Sequence, residues 1–261
     1  MIAGKMLSFS VGVMDRLTHL LATLPCWLSF PEIDEILVVD FASSLPVREA
    51  LARAAIGDYR LRIVRVEDER YWSHVLCHNL EWRESKGFYL LRTDADVLPA
   101  ADFFRRACPE SGQFLTGDWR DVRSRNEAHL TGTIFVARSA FLAVNGYHED
   151  LLDYGWEDDD LYDRLEKAGF QRKFFAAGDL WHIPHTDHDR LCRMPGFGPG
   201  DAGLQVGENE PDFPWQRFGL GNLTDKNRKL AFAKPWTSAC RLSRWMTMVE
   251  EPGYKVVRRE R

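Results

Sequence analysis

Close cysteine pairs are missing from this 261-residue chain: Cys26, Cys77, Cys108, Cys192 and Cys240 stand far apart, with no CxxC spacing. That excludes a zinc ribbon and a disulfide framework and leaves reduced thiols, as in a cytoplasm, where we expect the protein to work. Long apolar runs are missing too. The partly apolar start, Met1 to Val13, is broken by Lys5 and followed by Asp15 and Arg16. Neither a signal peptide nor an integral membrane segment is therefore expected, and only peripheral membrane association stays open. A strong charge of either sign is absent: the net charge is −5 and the pI near 5.9, which argues against a dedicated nucleic-acid binder. The first hundred residues hold neither GxGxxG nor GxxxxGK followed by Ser or Thr, which counts against a dinucleotide-dependent dehydrogenase and a P-loop enzyme. With 45% hydrophobic and 28% charged residues, the composition is that of a folded globular chain with ample core.

What is present is an alternation of segment types. Leu7–Val13 reads as a strand, and Leu17, Leu20, Leu21 and Leu24 fall at helical spacing with Pro25 closing the helix. Glu35–Asp40 is a second apolar strand ending on a carboxylate, and Ser43, Ser44 and Pro46 lead into a helix over Val47–Ile56. A strand at Leu61–Val66, a helix at Trp72–Trp82 and a strand at Phe88–Arg92 continue the pattern. It predicts an α/β fold, with a mainly parallel, Rossmann-like sheet flanked by helices. The second half is less regular. It offers strands at Leu130–Ala137 and Phe174–Trp181, a helix at Ser139–Val144 ended by Asn145-Gly146, and a helix over Leu161–Ala168 stopped by Gly169.

Three places carry candidate chemistry. In Phe88 to Pro99, FYLLRTDADVLP, an apolar strand runs straight into Asp94 and Asp96. Residues two apart on an extended chain point the same way, so these carboxylates are expected to project together and to bind a hard divalent ion that also contacts a phosphate. Turn or cap duty also explains many Asp-x-Asp pairs. Asp40, at the carboxyl end of its strand, sits where open α/β sheets bind ligands, and a cap or turn aspartate is the alternative. Tyr154, Gly155 and Trp156 precede four successive acids, Glu157 to Asp160. One or two acids suit a helix start, but aromatics that stack on sugars beside carboxylates that accept protons suit a site. Finally, His182, His185 and His188 fall within seven residues, and a bend at Pro184 could bring His182 and His185 onto one ion; a solvated loop is the other reading. Met194 to Gly203 is rich in breakers and suits a mobile lid or a surface connection.

TDADV after a strand, then GYHEDLLDYGWEDDDLYDRL, then HIPH, in this order over about Leu7 to His188, resembles the GT-A fold of family 2-type glycosyltransferases, in particular the β-1,4-galactosyltransferase and chondroitin-polymerase branch. The resemblance implies one GT-A domain over 1–261, with a nucleotide-binding half at 1–100, an acceptor-side half at 101–190, and a lid loop and C-terminal extension at 191–261. It implies Mn²⁺ or Mg²⁺ held by Asp94, Asp96, His182 and His185 on the diphosphate of a UDP-sugar, with Asp40, Arg16, Asn79, Asp94 and Gly132 also on the donor. The Glu-Asp pair of the family's WGGED segment matches Glu157 and Asp158, making Asp158 the base and Glu157 an acceptor-binding group beside Tyr154 and Trp156. Here Trp156 replaces a glycine and Tyr154 falls near the usual tryptophan.

The activity implied is inverting transfer of a sugar, such as galactose, N-acetylgalactosamine or a related hexose, from the nucleotide sugar to a saccharide or other hydroxyl acceptor, as in polysaccharide biosynthesis. A nucleotidyltransferase could also use paired acids and a metal, without needing the WEDDD segment. A binding module that kept the fold and lost turnover is the alternative outside enzymes.

Overall fold

The computed structural model describes residues 2, 4–118, 130–151, 155–185, 193–194 and 242–260. Apolar segments in the first hundred residues become neighbouring strands: β1 (Leu7–Val13), β2 (Glu35–Phe41), β3 (Leu61–Glu67) and β4 (Tyr89–Thr93). They are joined by α1 (Leu17–Leu28), α2 (Val47–Arg53) and α3 (His74–Glu84). Each helical crossover returns the chain to the same end of the sheet, so these strands lie parallel. Next come β5 (Val97–Pro99), α4 (Phe103–Arg106), β6 (Gln113–Thr116), β7 (Ile134–Ala137), α5 (Arg138–Val144), α6 (Glu157–Lys167), β8 (Gln171–Phe174), β9 (Leu180–His182), β10 (Trp245–Glu251) and β11 (Tyr254–Arg259). The main sheet has the order β10-β11-β3-β2-β1-β4-β7-β6-β8, and only β7 and β10 run against the rest. β5 and β9 form a separate antiparallel pair.

Strand alternation decides which helix covers which face. Leu7, Phe9, Val11 and Val13 of β1, with Ile36 and Val38 of β2, pack against Leu20, Leu24 and Trp27 of α1 and Val47 and Leu51 of α2. Leu37, Val39 and Phe41 face the other way, into a core shared with Leu76 and Leu80 of α3, Phe141 of α5, and Leu161 and Leu165 of α6. The strands below α3 are less apolar at the centre, since β1 presents Ser8 and Ser10 there, both fully buried. Their hydroxyls donate to buried carboxylates, Ser8 to Glu35 and Ser10 to Glu81, the latter at 2.8 Å.

Several elements depart from expectation. α1 does not stop at Pro25 but runs through it to Leu28. A mid-helix proline costs a hydrogen bond and a clash; here the last turn is secured by the buried Trp27, whose indole donates to the Val97 carbonyl at 2.8 Å. The strand expected from Phe88 starts at Tyr89, with Phe88 exposed. Of the strand expected over Leu130–Ala137 only Ile134–Ala137 pairs, because Leu130–Gly132 forms a helical turn closed by Thr133 N–H to the Leu130 carbonyl. The strand expected over Phe174–Trp181 is two, β8 and β9, parted by a turn at Ala176–Asp179 in which Asp179 accepts from the Ala176 N–H. Cys26, Cys77 and Cys108 are free thiols, and no helix among the described residues is long and apolar enough to cross a membrane.

Candidate active site

The candidate residues gather at the carboxyl ends of β1, β2 and β4, where open α/β sheets hold ligands. β4 ends at Thr93, and Asp94–Asp96 forms a turn closed by Val97 N–H to the Asp94 carbonyl at 3.3 Å. α1 supports this turn from below, Thr23 donating its hydroxyl to the Ala95 carbonyl at 2.8 Å. The β5–β9 pair then sets Val97 opposite His182 and lets the Ile183 N–H donate to the Asp96 carbonyl at 2.7 Å. As a result the His182 and His185 imidazoles each place Nε2 3.4 Å from an Asp96 carboxylate oxygen, with ring centroids 5.0 Å apart. The ligand atoms of the three residues lie within 4.8 Å of one another. Arg16, from the start of α1, puts a guanidinium nitrogen 2.5 Å from Asp96 Oδ2.

Asp94 takes no part in this trio, against expectation. The chain has left the extended conformation at that point, so the two-residue alternation no longer aligns it with Asp96, and its carboxylate turns to Arg92 at 3.3 Å. Arg92 is buried and central. Its guanidinium also donates to the Gly132 carbonyl, lies against the His78 ring, and comes within 3.7 Å of Asp158 Oδ1.

α6 begins with the acids. Asp160 and Arg164 form a buried pair at 2.8 Å, and Asp159 faces solvent, so these two have structural or solvated roles. Asp158 is reached from solvent at 22% side-chain exposure and accepts from the Tyr147 hydroxyl at 3.0 Å. Burial pushes its carboxyl up, while Arg92 and the Tyr147 hydroxyl pull it back toward ionisation. Glu157 is buried, with Oε1 3.9 Å from His74 Nδ1 and Oε2 without a hydrogen-bond partner among the described residues. Burial, with the Asp158 charge next, raises its carboxyl to about 8. Trp156, where the family resemblance has a glycine, adopts φ of +72°, a left-handed conformation unusual for a bulky side chain. Gly155 before it has φ of +92°. Tyr154 lies outside the described residues, as do all but Met194 of the expected lid.

Two expected donor-site residues are committed elsewhere. The Asp40 carboxylate is fully buried and accepts from the N–H groups of Ser43 and Val47, each at 3.0 Å, and from Arg65 at 2.7 Å. Its role is the cap and turn, at the start of α2. Asn79 clasps residue 147, its Oδ1 accepting from the Tyr147 N–H at 2.7 Å and its Nδ2 donating to the Tyr147 carbonyl at 2.9 Å. Further bonds to Trp82 and Glu149 use the rest of the amide, so Asn79 builds the turn that carries Tyr147 rather than facing a nucleotide. Gly146 is required there: its φ is +70° and a Cβ would lie 2.4 Å from Asn79 Oδ1. Gly132 serves by having no side chain, since a Cβ would sit 3.1 Å from Asp158 Oδ2. Sequence reasoning missed Arg92, Tyr147 and His78. An arginine inside an apolar strand and a tyrosine next to an Asn-Gly turn were the available signals.

The raised Glu157 carboxyl makes a prediction about stability. In the unfolded chain it titrates near 4.5 and in the fold near 8, so the folded state holds a proton the unfolded state releases. Its contribution to stability is full below about pH 4.5 and is lost as pH rises through 8, on the order of a few kcal/mol. Glu157→Gln should therefore flatten the fall in melting temperature between pH 5 and 8.5; a fall as steep as that of the unaltered protein would place the effect elsewhere.

Residues 116–189, from β6 to just beyond His185, match the family described as the N-terminal domain of galactosyltransferase. No curated protein matches the sequence. Among solved structures, the catalytic domain of Drosophila β1,4-galactosyltransferase 7 in complex with xylobiose is similar, with a TM-score of 0.55 and 17% identity over 97% of this chain and 92% of that one. A mutant of that enzyme with manganese, UDP-Gal and xylobiose gives 0.56 and 15% over the same shares. GalNAc-T7 with UDP, GalNAc and Mn²⁺ gives 0.59 and 14%, over 77% of this chain and 46% of that one. The fold is thus that of the GT-A glycosyltransferases. Over the matched segment the chain is similar to the galactosyltransferases.

Proposed function

We propose that the protein transfers a hexose, of the galactose or N-acetylgalactosamine kind, from a UDP-sugar to a hydroxyl of a saccharide, with inversion and with a divalent cation. The observation that carries this reading is the convergence of Asp96, His182 and His185 at the strand ends. One carboxylate and two imidazoles form a mixed donor set that suits a transition metal such as Mn²⁺ better than Mg²⁺. An ion bound there would supply positive charge beside the diphosphate as it leaves. The UDP-Gal, manganese and xylobiose bound by the Drosophila neighbour support this choice of donor, ion and acceptor class.

The chain's own residues supply the rest. Asp158 holds Tyr147 with Oδ1 and directs Oδ2 toward Gly132, where no side chain intervenes. It takes the proton of the acceptor hydroxyl as that oxygen bonds to the anomeric carbon; the bond from that carbon to the diphosphate oxygen breaks, and the diphosphate leaves with the electron pair. A single displacement inverts the anomeric centre. Glu157, protonated at neutral pH, can donate to a second acceptor hydroxyl, and the Trp156 ring offers a face for a sugar.

A panel of UDP-sugars and GDP-mannose tests this, with and without Mn²⁺. We expect the melting temperature to rise only when a UDP-sugar and Mn²⁺ are both present, and UDP to be released when a saccharide acceptor is added. No response to any UDP-sugar, or pyrophosphate release from a nucleoside triphosphate, would overturn it.

A further inference from the structure

Arg92 is a buried charge within a strand of the central sheet. It sits on β4 at 2% exposure, paired in register with Ser10 of β1, and faces α3 together with the apolar Leu90. A guanidinium taken out of water is costly unless it is fully partnered. Behind it stands a buried relay: His78 Nδ1 lies 2.8 Å from Glu81 Oε1, and Glu81 Oε2 accepts from the Ser10 hydroxyl at 2.8 Å. The imidazole is held between the two: Glu81 lies against Nδ1, and Arg92 meets both ring nitrogens, its Nε–H donating to Nδ1 at 3.3 Å and a terminal nitrogen lying against Nε2. Gly12 makes the space, since a Cβ there would lie 2.3 Å from Cys77 Sγ and 2.8 Å from Glu81 Oε1. Cys77, His78 and Glu81 do bring ligand atoms within 4.8 Å of one another. The guanidinium on the imidazole and the filled space beside Gly12 leave neither the charge balance nor the room for an ion.

In front, Arg92 meets three groups from three segments: the Gly132 carbonyl, Asp94 Oδ1 at 3.3 Å and Asp158 Oδ1 at 3.7 Å. Tyr147, the other partner of Asp158, also packs on the relay, its ring centroid 5.3 Å from that of His78. We propose that Arg92, fixed from behind by His78 and Glu81, is the positioning residue that aims the Asp158 carboxylate and ties it to the Asp94 turn beside the donor. This rests on the reading of Asp158 as the base. A planar fork with five N–H groups can reach the three partners at once, and a lysine ammonium cannot.

The test is a cycle of Arg92→Lys, Asp158→Asn and the double variant, measured by steady-state kinetics, Mn²⁺-dependent UDP titration and melting temperature. Arg92→Lys keeps the buried positive charge. We expect kcat to fall about thirtyfold, with UDP affinity and the acceptor KM changing less than about threefold, and the same substitution to cost less than about threefold when Asp158 is already asparagine. Equal losses in both backgrounds would overturn the positioning role and leave Asp158 as base; turnover surviving in Asp158→Asn would overturn the base reading and this proposal with it. His78→Gln is the second variant, should Arg92→Lys not fold. It is expected to lose about threefold to tenfold in kcat with the same dependence on background, and an unchanged kcat in the folded variant would overturn the relay.

Discussion

Asp158→Asn is expected to lower turnover about a hundredfold or more while the melting temperature and UDP-sugar affinity stay close to those of the unaltered protein. Asparagine has the shape of aspartate, and its carbonyl can keep the hydrogen bond from the Tyr147 hydroxyl, so the turn at 146–149 and the start of α6 retain their partner. What is lost is the capacity to accept the acceptor's proton. If the acids of α6 served only the helix start, the outcome would be reversed: stability would fall by about 1 kcal/mol and the folded protein would keep its turnover. Melting temperature, donor titration and turnover on one sample separate these, and near-normal turnover would remove Asp158 from the mechanism.

The second large effect concerns the ion. UDP affinity should depend on Mn²⁺ or a similar cation and should drop strongly in EDTA, in Asp96→Ala and in His185→Ala. Removing one of three donors weakens what can be held, and in Asp96→Ala it also leaves the Arg16 guanidinium without the carboxylate now 2.5 Å away. Asp94→Ala gives the contrast, because Asp94 faces Arg92 and stands outside the trio. Isothermal titration with and without chelator reads the difference, and an affinity unchanged in EDTA would sink the metal role.

How far the sequence disclosed this depends on the element. β1 to β4 were legible because strands buried on both faces are short apolar runs, and breakers separate them from helical spacings. The His182–His185 approach was legible as one of two readings, since a bend at Pro184 could bring the rings together while a solvated loop would leave them apart. The expectation that Asp94 projects together with Asp96 failed for a local reason: periodicity holds only while the strand lasts, and β4 ends one residue earlier. Asp40 and Asn79 carry the residue types of a ligand site, and only the fold reveals that their hydrogen bonds are spent on α2 and on Tyr147. Arg92 was passed over because a lone arginine at the end of an apolar run reads as the edge of a strand; its partners come from residues 78, 132 and 158, far away in the chain. β10 and β11 gave little signal, since β10 is largely exposed and mixes methionine, threonine and glutamate.

That C-terminal hairpin bears on how the protein comes to be folded. β11 lies beside β3 in parallel, and contacts such as Arg258 with Glu67 join residues 191 positions apart. Closing so long a loop is entropically slow, and in synthesis from the N-terminus it comes after β1 to β9. Among the described residues β11 is what covers the outer edge of β3, a row of backbone donors and acceptors of the kind that pairs readily with another chain when left open. With the hairpin in place, β3 is paired on both sides and, among the described residues, the edge of the sheet passes to β10, where Glu250 and Glu251 put charge on the outermost strand, the kind of edge that resists pairing with another chain.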